Sequence, residues 1–295
     1  MPTRRTFAEI VQGAGVDARL EYITLWNLFN RRFDSEKGLN VGYVRTVNMM
    51  CRDVADESFA TLVNKNFLRL PIQLRKSYRT LEMFNRGCGF SFGKEPPSTM
   101  TVDDLLTYIE YTMSFINMMN EAKLLQDFGF AVRPFVSHVN VLLDMLAHAT
   151  CVKDGFVFVV PKSQPVIEVA RVLPGDLSYK TYMYNHRTVT GDLNRKKEIL
   201  RALGDALESR RKELALLDGA LTSAIFAMLN RANVRHTNID ERDPAKYQPI
   251  VAAMGKEELE QRYDDLYQMI LLAFMWLDSR SVVADTKEFV STLKP

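Results

Sequence analysis

The sequence predicts a mainly α fold of helical bundles carrying a small β-hairpin insertion near residues 156–172. Three observations predict it. Apolar residues recur at three- and four-residue steps through most of the chain, capping residues open several of those stretches, and a single segment pairs two Val-, Ile- and Phe-rich runs around turn residues.

In chain order, helices are expected over residues 19–33, 44–66 and 73–85. Gly and Pro cluster over residues 87–98 and mark a junction. A helix over 102–126 follows the Pro96, Pro97, Ser98 turn, with Thr101 and Asp104 as a capping pair. Pro134 then allows another helix over 135–149. Strands are expected at 156–160 and 166–172 around the turn residues 161–165, and Pro174 and Gly175 mark the next junction. Asp192, after Gly191, caps a helix whose Leu193, Ile199, Leu200, Leu203 and Leu207 continue toward Leu214, Leu217, Leu221 and Ile225. Gly204 and Gly219 weaken that stretch, and a break is expected at 209–212. The clearest helix covers 257–280, where Leu259, Tyr263, Leu266, Tyr267, Ile270, Phe274 and Leu277 form a long buried face. These junctions divide the chain into a helical region 1–95, helices with the hairpin over 96–176, and a helical bundle over 177–295.

Composition narrows the function classes. Of 295 residues 47% are hydrophobic and 10% aromatic, enough apolar surface to offset the ordering entropy of a folded chain. Thirty-eight Lys and Arg against 36 Asp and Glu give a formal charge of +2, so nucleic-acid or membrane binding must come from local patches. No apolar run is long enough to span a membrane and no signal peptide is read at the start. Cys51, Cys88 and Cys151 stand far apart, which argues against a zinc knuckle or a disulfide framework and suggests a cytoplasmic protein. The histidines His138, His148, His186 and His236 show no HxxxH or HExxH spacing, so neither a metal nor a cofactor is expected. Gly87, Gly89 and Gly93 near Lys94 lack the P-loop pattern, and no GxSxG elbow occurs.

The chemically suggestive stretch is Leu229, Asn230, Arg231, Ala232, Asn233, Val234, Arg235, His236, Thr237, Asn238, where an apolar helix turns abruptly polar. Arg231 and His236 are five positions apart, about 140° around a continuous helix. They converge if the helix opens near Asn233 or if two copies of the chain meet. A neutral imidazole can take a proton from a ribose 2′-hydroxyl while a guanidinium holds the phosphate, which suits phosphodiester cleavage without metal. Equally, Asn230 and Asn233 can simply end the helix, with Arg235 and His236 capping its last carbonyls.

At these residues the chain resembles the HEPN superfamily, helical proteins with an Arg, four to six residues, then His, whose active members are metal-independent endoribonucleases. The polar loop with Asp243, Pro244 and Pro249 and the long helix that follows are similar too. The resemblance implies a prokaryotic antiviral defence, abortive-infection or toxin nuclease, acting on RNA as a homodimer under a regulatory or neutralising protein. Its products would carry 2′,3′-cyclic phosphate and 5′-hydroxyl ends. It assigns catalysis to Arg231 and His236, and substrate contact to Asn233, Arg235 and Asn238, with His186 and Arg187 as further contributors. A second Arg and His pair of the same spacing, Arg133 and His138, has Pro134 and a mostly apolar spacer.

Two stretches offer positive charge for RNA. Residues 64–94 hold Lys65, Arg69, Arg75, Lys76, Arg79, Arg86 and Lys94 against Glu82, a net of +6, with Phe67, Tyr78, Phe84, Phe90 and Phe92 interleaved. Residues 187–212 carry eight Lys or Arg against four acids and lead into the motif helix. The competing class is a noncatalytic helical scaffold, a dimerisation or nucleic-acid-binding module that docks through the surface over 263–276.

Overall fold

The computed structural model describes residues 15–30, 58–125 and 129–293. The chain divides into two compact units, residues 1–159 and 160–295. This is a coarser division than the three sequence regions, and its boundary falls inside a strand.

Among the described residues the first unit opens with α1 (Ala18–Asn30), against which the helices Phe59–Asn66, Val102–Glu121 and Gly129–Met145 pack. Next come α2 (Phe59–Asn66), a 3-10 turn (Phe67–Arg69), α3 (Ile72–Arg75) and α4 (Leu81–Cys88). The single helix expected over 73–85 is thus two helices. Lys76 takes a positive φ of 50° at the end of α3, which stops the helix, and the Thr80 hydroxyl accepts the Met83 N–H at 3.1 Å to start α4. Gly87 belongs to α4, where a Cβ would lie 2.1 Å from the Tyr78 hydroxyl oxygen, so this glycine admits the ring of the preceding loop. Residues 31–33 and 44–57 of the expected helices lie outside the described residues.

α5 (Val102–Glu121) starts with the expected capping box: Thr101 Oγ1 accepts the Asp104 N–H and Asp104 accepts the Thr101 N–H. α6 (Gly129–Met145) begins before Pro134, which therefore sits inside the helix. The hairpin is β1 (His148–Lys153) and β2 (Phe156–Pro161), joined by Asp154 and Gly155, both at positive φ. Its second arm is therefore not residues 166–172. Those residues form α7 (Gln164–Val172), and Pro165 stands in the first helical turn. The free edge of β2 is covered by α5, since Val157 N–H donates to Ser114 Oγ and Val159 N–H to Glu110 Oε1.

In the second unit, α7 and α8 (Gly175–Met183) precede α9 (Leu193–Glu208), which Asp192 caps as expected. The chain breaks at Ser209 and Arg210 into α10 (Arg211–Leu217), and Asp218 caps α11 (Gly219–Arg231). A short α12 (Pro249–Ala253) leads to the 37-residue α13 (Lys256–Thr292). α13 packs against α7, α9, α10 and α11 through Leu266, Tyr267, Ile270, Leu271 and Phe274, all buried. Within 263–276 those residues face the interior of this unit, while Leu272 and Met275 are exposed, as are Val282, Val283, Phe289 and Val290 farther along. No described helix is long and apolar enough to cross a membrane.

Candidate functional site

The polar stretch after α11 is a tightly closed loop. Ala232 ends the helix and Asn233 turns left-handed, with φ of 59°, a conformation that asparagine tolerates better than most residues. The Arg235 N–H reaches back to the Leu229 carbonyl at 2.9 Å. Asn233 and Asn238 then pin the loop reciprocally: the Asn233 N–H donates to Asn238 Oδ1 at 3.0 Å and the Asn238 N–H to Asn233 Oδ1 at 3.3 Å. Asn238 Nδ2 donates to the Lys246 carbonyl, and the Tyr263 hydroxyl of α13 donates to the Asn233 carbonyl. Both asparagines are buried, which suits loop shaping.

Arg231 and His236 stand on either side of this turn. Both are exposed, and neither side chain has a hydrogen-bond partner among the described residues. The helix therefore opens where convergence requires it. At the second pair of this spacing, Arg133 and His138 lie on continuous α6, and His138 Nε2 is 2.6 Å from Glu21 Oε2. Arg133 is exposed at the rim of a separate cavity of about 400 Å³ in the first unit.

The remaining sequence-predicted contacts are engaged by the protein. Arg235 turns back to α9, its Nη1 2.7 Å from Glu208 and its Nη2 2.9 Å from Asp205, with the guanidinium over the Phe226 ring. The Arg235 hydrogen bond, aided by Arg211, holds the Glu208 carboxyl below the usual range. His186 is buried, not exposed to a ligand. Arg187 Nη1 lies 3.2 Å from its Nε2, while its Nδ1 accepts the Thr188 N–H at 3.3 Å and lies 2.8 Å from Thr188 Oγ1.

Two lysines of α9 matter in ways their sequence spacing did not signal. Lys196 is buried between Glu260 Oε1 at 2.8 Å and Asp264 Oδ1 at 2.6 Å. Tyr184 donates to the same Asp264 oxygen and stacks on Tyr267, while the Gly191 N–H donates to Glu260, so the loop before α9 is fastened to α13. Lys197 instead reaches the motif loop, its Nζ 3.3 Å from Asn233 Oδ1. Burial, then the nearby Arg201, pulls the Lys197 pKa down.

Across the 64–94 stretch the cations are exposed except Arg75, which is half-buried and donates to the Leu70 carbonyl, and the aromatics are drawn inward. Phe67 and Phe84 are buried, and Tyr78, Phe90 and Phe92 are half-buried in ring contacts with them and with Tyr111. Neither family models nor curated proteins nor solved structures match the chain.

Proposed function

We propose that the protein is an endoribonuclease of a prokaryotic defence or toxin system, with Arg231 and His236 as its catalytic pair. The observation that carries this reading is the left-handed turn at Asn233, which interrupts the helix between two exposed, unengaged side chains of the required chemistry. His236 takes the proton of a ribose 2′-hydroxyl as that oxygen bonds to phosphorus. The bond from phosphorus to the 5′ oxygen breaks, and the departing oxygen takes a proton from water. Arg231 holds the phosphate whose negative charge is redistributed in the transition state. The products are a 2′,3′-cyclic phosphate and a 5′-hydroxyl. Asn233, Asn238 and Arg235 act by fixing the loop, through the paired amide hydrogen bonds of the two asparagines and the Arg235 Nη contacts with α9. A homodimer with two loops facing one another would bring an Arg231 and a His236 from different copies together.

The test is cleavage of a mixed RNA pool in EDTA. His236→Ala should lower the rate by about 10²–10⁴-fold and Arg231→Ala by about 10²–10³-fold, with unchanged thermal melting. His138→Ala should cut as well as the unaltered protein. Absence of cleavage by every form, or full activity in both loop variants, removes the nuclease reading and leaves a noncatalytic helical module.

A further inference from the structure

We propose that Lys197 and Arg201, one turn apart on α9, form an anion site that holds a phosphodiester of single-stranded RNA against the 231–238 loop. The inference rests on the nuclease reading and adds to it a place for the substrate backbone. It comes from sorting the basic stretch over 187–212 by partner. Arg195 is paired with Asp192, Lys196 with Glu260 and Asp264, Arg210 with Glu213, and Arg211 with Glu208. Arg187 faces His186. Lys197, Arg201 and, on α10, Lys212 have no carboxylate partner among the described residues, and of these Lys197 and Arg201 lie on the α9 face that contacts the loop.

That face reads Lys197, Arg201, Asp205, Glu208 in steps of four and three, so the four side chains lie in one row. The two acids hold Arg235, and Lys197 touches Asn233, so the motif loop is fastened at both ends of the row with Arg201 between. Asn233 Oδ1 is a neutral acceptor for one of the three ammonium protons of Lys197. Two cations held close together, one of them half-buried, favour an anion that neutralises both. The lowered Lys197 pKa has the same origin, because its partial burial and Arg201 both disfavour its charge until an anion arrives. A backbone phosphate beside the loop meets that need and sets the neighbouring nucleotide near Arg231 and His236.

The experiment is fluorescence anisotropy with a short labelled 2′-O-methyl RNA, which has no free 2′ nucleophile and binds without being cut, titrated from about 50 to about 200 mM KCl. Each phosphate contact on a single strand contributes about 0.7 to the slope of log affinity against log salt. Lys197→Gln with Arg201→Gln should flatten that slope by about 1.4. Arg201→Gln alone, which removes an exposed side chain and leaves the fold intact, should flatten it by about half as much. Lys197→Arg should keep it, and Arg195→Gln, an equal loss of charge at a paired residue of the same helix, should leave it unchanged. No binding by the unaltered protein, an unchanged slope in the double variant, or an equal loss in Arg195→Gln overturns the site. Binding that follows this pattern without cleavage of ordinary RNA keeps the anion site and sinks the nuclease reading. Cleavage dependent on His236 with an unchanged slope does the reverse.

Discussion

Lys196 and Lys197 are adjacent in sequence and opposite in role, because successive helical positions point about 100° apart. One is sealed into the unit and the other looks toward the loop. Moving an ammonium out of water is costly, and two carboxylates, with the Tyr184 ring 5.1 Å away, offset that cost for Lys196. Lys196→Met leaves the carboxylates facing one another. The expected loss in unfolding free energy is about 2–3 kcal/mol, below the roughly 3–5 kcal/mol for a wholly buried pair, because the Asp264 side chain is 40% exposed. The cluster also predicts acid sensitivity. The Lys196 hydrogen bond, then the Gly191 N–H, holds Glu260 below its ordinary value of 4.5. A carboxyl depressed in the folded state stabilises fully above that ordinary value, and the contribution is lost as pH falls through the lower folded value. Melting temperature followed against pH should therefore drop in acid more steeply for the unaltered protein than for Glu260→Gln. Parallel curves for the two would remove the cluster from the explanation.

Helices α9 and α11 approach closely at Gly204, where a Cβ would stand 2.6 Å from Leu229 Cδ1 and 3.3 Å from its Cγ. Leu229 is fully buried and its carbonyl receives the Arg235 N–H, so displacement there passes directly into the motif loop. Alanine is the better helix former by about 1 kcal/mol, yet overpacking costs about 1–3 kcal/mol. Gly204→Ala should therefore destabilise by about 1 kcal/mol in denaturant unfolding and, on the nuclease reading, lower cleavage more than Arg195→Gln does; a stabilised variant would show that the helices have room to part. In the sequence, Gly204 read only as a weak point in a helix, because close approach depends on a second helix that spacing does not reveal. Elements marked by local chemistry were legible: the Thr101 and Asp104 box, the Asp192 cap and the break after Glu208 all stand where the residues put them. The hairpin was half legible. Asp154 and Gly155 carry the left-handed turn of a two-residue hairpin, while Pro161 and Pro165, which resemble turn residues, flank the entry to α7. For the site, the Arg231 and His236 spacing was readable, but the engagement of Arg235, the burial of His186 and the reach of Lys197 are tertiary facts.

At the scale of the molecule, each unit has a core of its own. Leu25, Val63, Phe67, Leu105, Ile109 and Val139 belong to that of the first; Leu200, Leu203, Ile225, Leu229, Leu266 and Ile270 are buried in the second. The motif loop, the α9 row that fastens it and the α13 residues that support both lie within residues 160–295. A chain of that size can bury enough apolar surface to fold alone. The fragment 162–295, which starts after β2 and keeps Ser163 before α7, should be helical by circular dichroism and melt cooperatively. On the nuclease reading it should also cut RNA within a few-fold of the whole chain. A fragment that fails to fold would show that the second core depends on the first unit. A folded fragment that binds and cuts RNA far more weakly would instead assign substrate contacts to the first unit, and the exposed cations over 64–94 would be the residues to change next.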